Sequence, residues 1–225
     1  MPRKVWIALA IEALVFALLL FGAAGTLRWP AAWVYLVLFF GLAVPFCLWL
    51  ARHDPALLQE RMKSPFQKGQ PLWDRILLPV LFALFPLWLV LIGLDAVRFG
   101  WSAMPAWLQW AGAAALILSL LAMGLVFREN TFLAPVVRIQ EERAHRVITT
   151  GPYAVVRHPL YTAALVWFAA TALMLGSWWG LVACIAFAVI LAMRTALEDR
   201  ELHRGLPGYP DYARRVRHRL VPFVW

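Results

Sequence analysis

A short stretch of polar and conformationally restricted residues, TTGPYAVVRHPLYTAAL at residues 149–165, lies directly before a long apolar run. Proline favours the first turn of a helix and forces the residue before it into extended geometry, so this spacing predicts a helix that begins at Pro159, with His158 outside it. The free N–H groups of that helix start, beside Arg157 and His158, would suit an anion such as a carboxylate or phosphate. The alternative is an ordinary membrane-interface loop, in which these side chains contact headgroups.

A second candidate pair lies after the last apolar run. Arg194 and Glu198 are four residues apart and therefore share one face of a helix, which Glu201 continues. An arginine offers a fork of donors to an oxyanion, and a glutamate accepts hydrogen bonds from hydroxyl or amino groups. The alternative is an intrahelical ion pair with solvated neighbours.

Gln140 and His145 form a third candidate, close to the turn expected at Gly151-Pro152. Their side chains would offer hydrogen bonds to a ligand, or they would belong to a solvated linker. The sequence contains no GxGxxG, P-loop, HExxH or GxSxG motif, and its two cysteines, Cys47 and Cys184, lie in apolar runs. These observations predict no metal, no nucleoside triphosphate, no serine nucleophile and no disulfide.

The elements that must position these residues are membrane helices. The chain of 225 residues is 63% hydrophobic and only 15% charged, with a mean hydropathy of +0.72, and apolar runs of this length span membranes. Four spans are predicted at Val5–Leu27, Trp33–Ala51, Ile76–Leu94 and Trp107–Phe127. A longer run, Leu160–Met193, is broken by Gly176, Ser177 and Gly180 and predicts a hairpin of two short spans of about 15 residues each. The first run is longer than the apolar core of a cleavable signal peptide, so we expect it to be a span.

The distribution of basic residues predicts the orientation. All but two of the 21 Lys and Arg residues fall in the termini and in alternate loops, the exceptions being Arg28 and Arg98. This is the positive-inside pattern, so we expect six spans with both termini in the cytoplasm. The net charge of +9 is then explained by topology, and no nucleic-acid partner is expected. The arginines of residues 214–219 would contact lipid phosphates.

The predicted spans divide the chain into two regions, and the first span contains a carboxylate. We expect an N-terminal four-span membrane region at residues 1–127 and a catalytic region at residues 128–225, formed by a cytoplasmic linker, the hairpin and a tail. Glu12 lies inside the first span, where an ionisable group suggests function. The alternative is a protonated or hydrogen-bonded glutamate that faces the helix bundle.

The segments QEERAHRVITTGPYAVVRHPLY (140–161), RTALEDREL (194–202) and GYPDYARRVRHRLVPF (208–223) resemble the isoprenylcysteine carboxyl methyltransferase family of integral membrane enzymes. The resemblance runs from about Asn130 to the C-terminus, and the compact, Arg-, Ala- and Trp-rich chain is similar to the bacterial members. It implies a polytopic all-α enzyme that uses S-adenosylmethionine, without a metal, at the cytoplasmic face of a bacterial inner membrane.

The resemblance also implies roles for individual residues. Arg194 and Glu198 would be catalytic, with Arg194 also facing the methyl acceptor. The cofactor would be bound by Gln140, His145, Arg146, Val147, Ile148, Tyr153, His158, Pro159, Leu160, Tyr161 and Glu198. The acceptor would be lipophilic or a small amphiphile and would carry a carboxylate, a thiol or an amine. Two other functions remain open: a nicotinamide-dependent membrane reductase of the sterol type, whose C-terminal RHP pattern is similar, and a non-catalytic membrane scaffold or sensor.

Overall fold

A computed structural model describes residues 3–225; it is 73% helix, and those residues contain no strand. Within this range the α-helices are α1 (Arg3–Ala24), α2 (Pro30–His53), α3 (Pro55–Arg61), α4 (Leu72–Gly93), α5 (Ala106–Glu129), α6 (Pro159–Leu175), α7 (Trp178–Gly205) and α8 (Tyr209–Arg215). A π-helical turn, Leu94–Arg98, extends α4, and two short 3-10 helices lie at Glu141–Arg143 and Gly151–Ala154.

Five helices, α1, α2, α4, α5 and α7, are long and apolar enough to cross a membrane, and α6 is a shorter apolar helix. The prediction of an all-α, polytopic membrane protein is confirmed. The sequence also located the start of α6 correctly, because Pro159 is its first residue and His158 caps it from outside. The orientation across the membrane stays a prediction.

The hairpin of α6 and α7 has unequal arms. Helix α6 has 17 residues, close to the 15 expected, whereas α7 has 28 because the helix continues beyond the apolar run. Gly176 makes the turn in the left-handed conformation, with a φ of 83°. The extension of α7 carries Arg194 and Glu198 as helical residues.

The closed end of the hairpin is fixed by a buried carboxylate. Asp95 Oδ2 accepts hydrogen bonds from the hydroxyls of Ser102 (2.6 Å) and Ser177 (2.5 Å). Ser177 Oγ in turn accepts from the N–H of Gly180 at 2.7 Å and caps the start of α7. Helices α5 and α6 approach so closely that a Cβ on Gly112 would lie 2.5 Å from the Met174 nitrogen. These contacts hold the hairpin rigidly, so its open end has a defined position.

Candidate active site

A cavity of about 620 Å³ lies at the open end of the hairpin. Its walls come from helices α1, α2, α3, α4, α6, α7 and α8 and from the strap, which we define as residues 130–158. Small-molecule sites have volumes of about 300–1,000 Å³, so a cofactor and part of an acceptor would fit. Polar side chains line the end near the strap, and aromatic side chains line the end between the membrane helices.

Most of the residues implicated by the sequence line this cavity. They are His145, Arg146, Val147, Ile148, Tyr153, His158, Leu160, Tyr161, Arg194 and Glu198. Gln140 and Pro159 do not line it. Gln140 is fully buried in the strap, where its amide donates to the Phe132 carbonyl (2.6 Å) and accepts from Arg143 (2.7 Å). Gln140 therefore shapes the wall of the cavity from behind.

Arg194 forms a buried ion pair with a residue that the sequence did not single out. Its Nε donates to Asp74 Oδ1 on α4 at 2.9 Å, and its Nη2 donates to the Pro135 carbonyl of the strap at 2.7 Å. Its guanidinium also lies 5.6 Å from the centre of the Tyr161 ring. Asp74 is fully buried and also accepts from the Val137 N–H at 3.0 Å. Arg194 is thus held rigidly, and the intrahelical pair with Glu198 does not form.

Glu198 faces the cavity beside an aromatic hydroxyl. The Tyr161 hydroxyl donates to Glu198 Oε2 at 2.6 Å, which joins the RHPLY segment to the RTALEDREL segment across 37 residues. The Tyr161 ring also stacks parallel to that of His158, with centres 5.9 Å apart. Glu198 Oε2 is thus oriented, and the carboxylate keeps accepting capacity toward the cavity.

Asp199, adjacent to Glu198 in sequence, is the centre of a second buried cluster. Arg157 binds it in a bidentate manner, with Nε 2.8 Å from Oδ1 and Nη2 2.9 Å from Oδ2. The Tyr209 hydroxyl donates to Oδ1 (2.8 Å) and Arg219 Nε donates to Oδ2 (3.0 Å). Burial and the neighbouring Asp199 raise the pKa of Tyr209, so its hydroxyl remains a donor. The anion that Arg157 holds is therefore Asp199 of this chain.

The start of α6 is covered by the tail, residues 206–225. The backbone N–H groups of Arg157 and His158 donate to the carbonyls of His218 (3.0 Å) and Arg219 (2.9 Å). Thr162 Oγ1 donates to the Leu220 carbonyl at 2.7 Å. The tail therefore packs against the helix start that the sequence suggested as an anion site.

His145 is a neutral part of the strap. Burial, followed by the charges of Arg143 and Arg138, lowers the pKa of His145 to about 4. Its ring stacks on Phe132, with centres 4.5 Å apart, and Nδ1 accepts from the Gln140 N–H at 3.4 Å. A neutral imidazole beside the cavity contributes one donor and one acceptor.

Tyr153 joins two parts of the strap to each other and connects the strap to α8. Its hydroxyl accepts from Asn130 Nδ2 at 2.8 Å, and its carbonyl accepts from the Tyr212 hydroxyl of α8 at 2.8 Å. Burial raises the pKa of Tyr153, so the phenol stays protonated at neutral pH. The cavity is thereby closed at this end by side chains from the strap and the tail together.

Asp74 and Asp199 are the buried acidic residues of the candidate site that sequence reasoning missed. Asp74 had one signal, an isolated acid at the entrance of an apolar run, and Asp199 had another, its place next to Glu198 in a quoted motif. Neither signal identified the arginine that would be the partner. The pairing connects residues 120 positions apart in one case and 42 in the other.

Comparison with known proteins finds similarity to membrane methyltransferases over part of the chain. Residues 107–205 match the family model described as phospholipid methyltransferase. The chain is 30% identical over 118 residues to protein-S-isoprenylcysteine O-methyltransferase B of Arabidopsis thaliana. The aligned segment covers 48% of this chain and 58% of the relative. It is 33% identical over 94 residues to a probable protein-S-isoprenylcysteine O-methyltransferase of Oryza sativa subsp. indica, covering 40% and 47%.

A relative named as a metal-resistance protein aligns with a similar fraction of this chain. The nickel-cobalt-cadmium resistance protein NccN of Alcaligenes xylosoxydans xylosoxydans is 32% identical over 115 residues, covering 48% of this chain and 50% of the relative. The chain thus matches only about half the length of these relatives. The family resemblance read from the sequence is confirmed for the part of the chain that forms the hairpin and the strap.

Proposed function

Because residues 107–205 match the model of a family of membrane methyltransferases, we propose that the protein transfers the methyl group of S-adenosylmethionine to a lipophilic or small amphiphilic acceptor. The observation that supports this most directly is the convergence of two distant motifs. The RHPLY segment and the RTALEDREL segment line one cavity and are joined there by the hydrogen bond from Tyr161 to Glu198.

The residues present fit such a cofactor. Glu198 is a hydrogen-bonded carboxylate with accepting capacity for hydroxyl or amino groups. The strap contributes His145, Val147 and Ile148, which provide a neutral imidazole and apolar surface against which a flat ring would pack. S-adenosylmethionine supplies, when bound, a methyl group on a positively charged sulfur that a nucleophile takes by in-line displacement. No metal is needed for that displacement.

The chain's own residues would contribute position and exclude water. Arg194 is fixed by Asp74 and the Pro135 carbonyl, and its Nη1 makes no hydrogen bond with any residue from 3 to 225, so it is available to an acceptor oxygen. A carboxylate acceptor is already ionised and requires no base, whereas a thiol or an amine would transfer a proton to Glu198 or His158. Positioning alone supplies a large part of such a rate enhancement.

The proposed division of labour follows from this arrangement. Residues 128–225 would form the catalytic region, and residues 1–127 the membrane region that borders the acceptor side. The cavity end lined by the strap would face the cytoplasm of a bacterial cell, because all Lys and Arg residues except Arg28 and Arg98 fall on the same side of the predicted spans as the strap and the tail. The acceptor would enter from the bilayer.

The proposal is tested by calorimetric titration of the purified protein in lipid nanodiscs with S-adenosylmethionine, S-adenosylhomocysteine and NADPH. We expect the first two to bind and NADPH not to bind. Loss of a hydrogen bond to a charged group costs about 1.5–3 kcal/mol, so Glu198→Gln should weaken binding of the first two at least tenfold. Glu201→Gln, on the same helix but outside the cavity, is the matched control.

Labelled methyl donor and a panel of acceptors then identify the chemistry. A long-chain carboxylic acid, thiol and amine are incubated separately with the nanodiscs, and radioactivity in the extracted lipid is measured. Binding of neither S-adenosyl ligand would refute the proposed function. Binding without transfer to any acceptor would favour a sensor over an enzyme.

A further inference from the structure

Glu12 is a carboxylate on the wall of the cavity that the proposed reaction does not use. It is the only charged residue of α1 after Lys4, and it lines the cavity together with Phe16, one turn further along the helix. Its carboxylate makes no hydrogen bond or ion pair with any residue from 3 to 225. Charged groups within membrane segments are costly and normally have a partner, so an unpartnered carboxylate at a cavity indicates a ligand group.

Four aromatic side chains that pack against one another line the same cavity as Glu12. The ring centre of Phe16 lies 5.3 Å from that of Phe39 and 5.4 Å from that of Phe85. Trp167 extends the same cluster, 5.6 Å from Phe85 and 5.9 Å from Phe39. All four side chains line the cavity, and we call them the aromatic wall. Aromatic faces carry negative electrostatic potential and attract cations, above all where water is excluded.

The other charges at the cavity are already compensated or lie at its polar end. Arg194 is paired with Asp74, Arg157 with Asp199, and Arg138 with Glu60. Glu198 accepts from Tyr161. Arg61 donates to the Leu133 carbonyl and lies over the Phe127 ring, at the level of the strap. The carboxyl group of Glu12 therefore has no cationic partner within the described part of the chain.

We propose that Glu12 and the aromatic wall bind a cationic group, a protonated amine or a quaternary ammonium, of a lipophilic ligand. The inference names the substrate class of the cavity and so rests on the proposed function: the ligand is the methyl acceptor. Its cation lies at Glu12, and its remaining part extends along the aromatic wall toward Glu198. Glu12 is exposed, and Phe82, which lines the cavity on α4, is 55% exposed, so this part of the cavity reaches the outer surface of the helices.

The site is tested with a probe that cannot be methylated. Dodecyltrimethylammonium is titrated into nanodiscs that contain the protein, with dodecanol as the neutral and dodecyl sulfate as the anionic comparison, and tryptophan fluorescence is followed. We expect saturable binding of the cation only, weakened at least tenfold by Glu12→Gln and largely retained by Glu12→Asp. Glu201→Gln, which removes a carboxylate outside the cavity, should have no effect. Equal binding by wild type and Glu12→Gln, or equal binding of dodecanol, would overturn the proposal.

The sulfur of S-adenosylmethionine is also a cation, and a second pair of titrations separates it from the acceptor. Glu12→Gln should leave the affinities for S-adenosylmethionine and S-adenosylhomocysteine unchanged. Weaker binding of the sulfonium ligand alone would place the cofactor at Glu12 and overturn the acceptor assignment. Binding of dodecyltrimethylammonium by a protein that binds neither S-adenosyl ligand would refute the proposed function and leave the cation site standing.

Discussion

Two buried aspartates bind arginines in this protein, and they connect different regions. Asp199 accepts hydrogen bonds from Arg157 and Arg219, so it connects the strap and the tail to α7 within the C-terminal half. Asp74 binds Arg194 and the backbone of Val137, so it ties α4, outside the family match, to the site. The difference shows that the Asp199 cluster joins elements of the C-terminal half to one another, whereas the orientation of Arg194 depends on a helix of the N-terminal half.

The largest effect is expected from Asp199→Ala. Removing one partner of a buried ion pair leaves the other charge uncompensated and costs about 3–5 kcal/mol. Arg157 and Arg219 would both lose their carboxylate, and Tyr209 would lose its acceptor. We expect a markedly lower unfolding temperature in nanodiscs and loss of S-adenosylmethionine binding. Asp211→Ala, an exposed acid in α8, serves as the control and should change neither. An unfolding temperature unchanged in Asp199→Ala would contradict the role given to this cluster.

A smaller and more specific effect is expected from Asp74→Asn. The amide retains the size of the side chain and can still accept from Val137, but it removes the charge that fixes Arg194. Misplacement of a positioning group by about 1 Å lowers rates about 100-fold. We therefore expect kcat of methyl transfer to fall about 100-fold. The affinity for S-adenosylhomocysteine should stay within about threefold of that of the wild type.

The outcome that would break the comparison is loss of cofactor affinity in Asp74→Asn. In that case α4 would support the whole cavity in the same way as Asp199 does. Asp54→Asn provides the matched control, because Asp54 lies outside the cavity and caps the short helix α3 through the Leu57 N–H.

The smallest effect is expected from acidification, through His145 of the strap. Its pKa is about 4 in the folded strap, against about 6.5 when free. Protonation therefore favours an opened strap. The stabilising contribution is complete above pH 6.5 and is lost as the pH falls toward 4. Because the side chain is only partly buried, we expect at most about tenfold weaker cofactor binding at pH 5 than at pH 7.

His145→Phe isolates this contribution. Phenylalanine preserves stacking on Phe132 and cannot be protonated, so the variant should bind the cofactor with a flatter pH profile between 7 and 5. An identical pH profile in both proteins would assign the dependence to another group. The measurement is calorimetric titration at pH 7, 6 and 5 in the same nanodiscs.

The helices were predictable because membrane spans are encoded locally. An apolar run of sufficient length must form a helix in lipid, since every backbone group needs an internal partner. The start of α6 at Pro159 followed from the restricted φ of proline, and the turn at Gly176 from the freedom of glycine. The continuation of α7 beyond the apolar run was also expected, because Arg194 and Glu198 have helical spacing, although no hydropathy signal marks its end at Gly205.

The sequence predicted which residues lie at the candidate site, but it did not predict which of them form ion pairs or hydrogen bonds with one another. His158, Tyr161, Arg194 and Glu198 were identified from motifs, and all four line one cavity. Gln140 lies behind the wall of the cavity, and its expected contact with the cofactor stays a prediction. The sequence also left open whether Arg194 pairs with Glu198, a choice that spacing along one helix favours and that the structure decides in favour of Asp74.

The amino-acid sequence by itself determined the membrane-spanning, all-α character of the chain, the hairpin and the family resemblance, because each depends on residues close together in the chain. Only the tertiary structure decided which carboxylate neutralises which arginine, and which face of α1 presents Glu12 to the cavity. Those choices depend on helix packing, and buried charges accept only the partners that packing brings within hydrogen-bond distance.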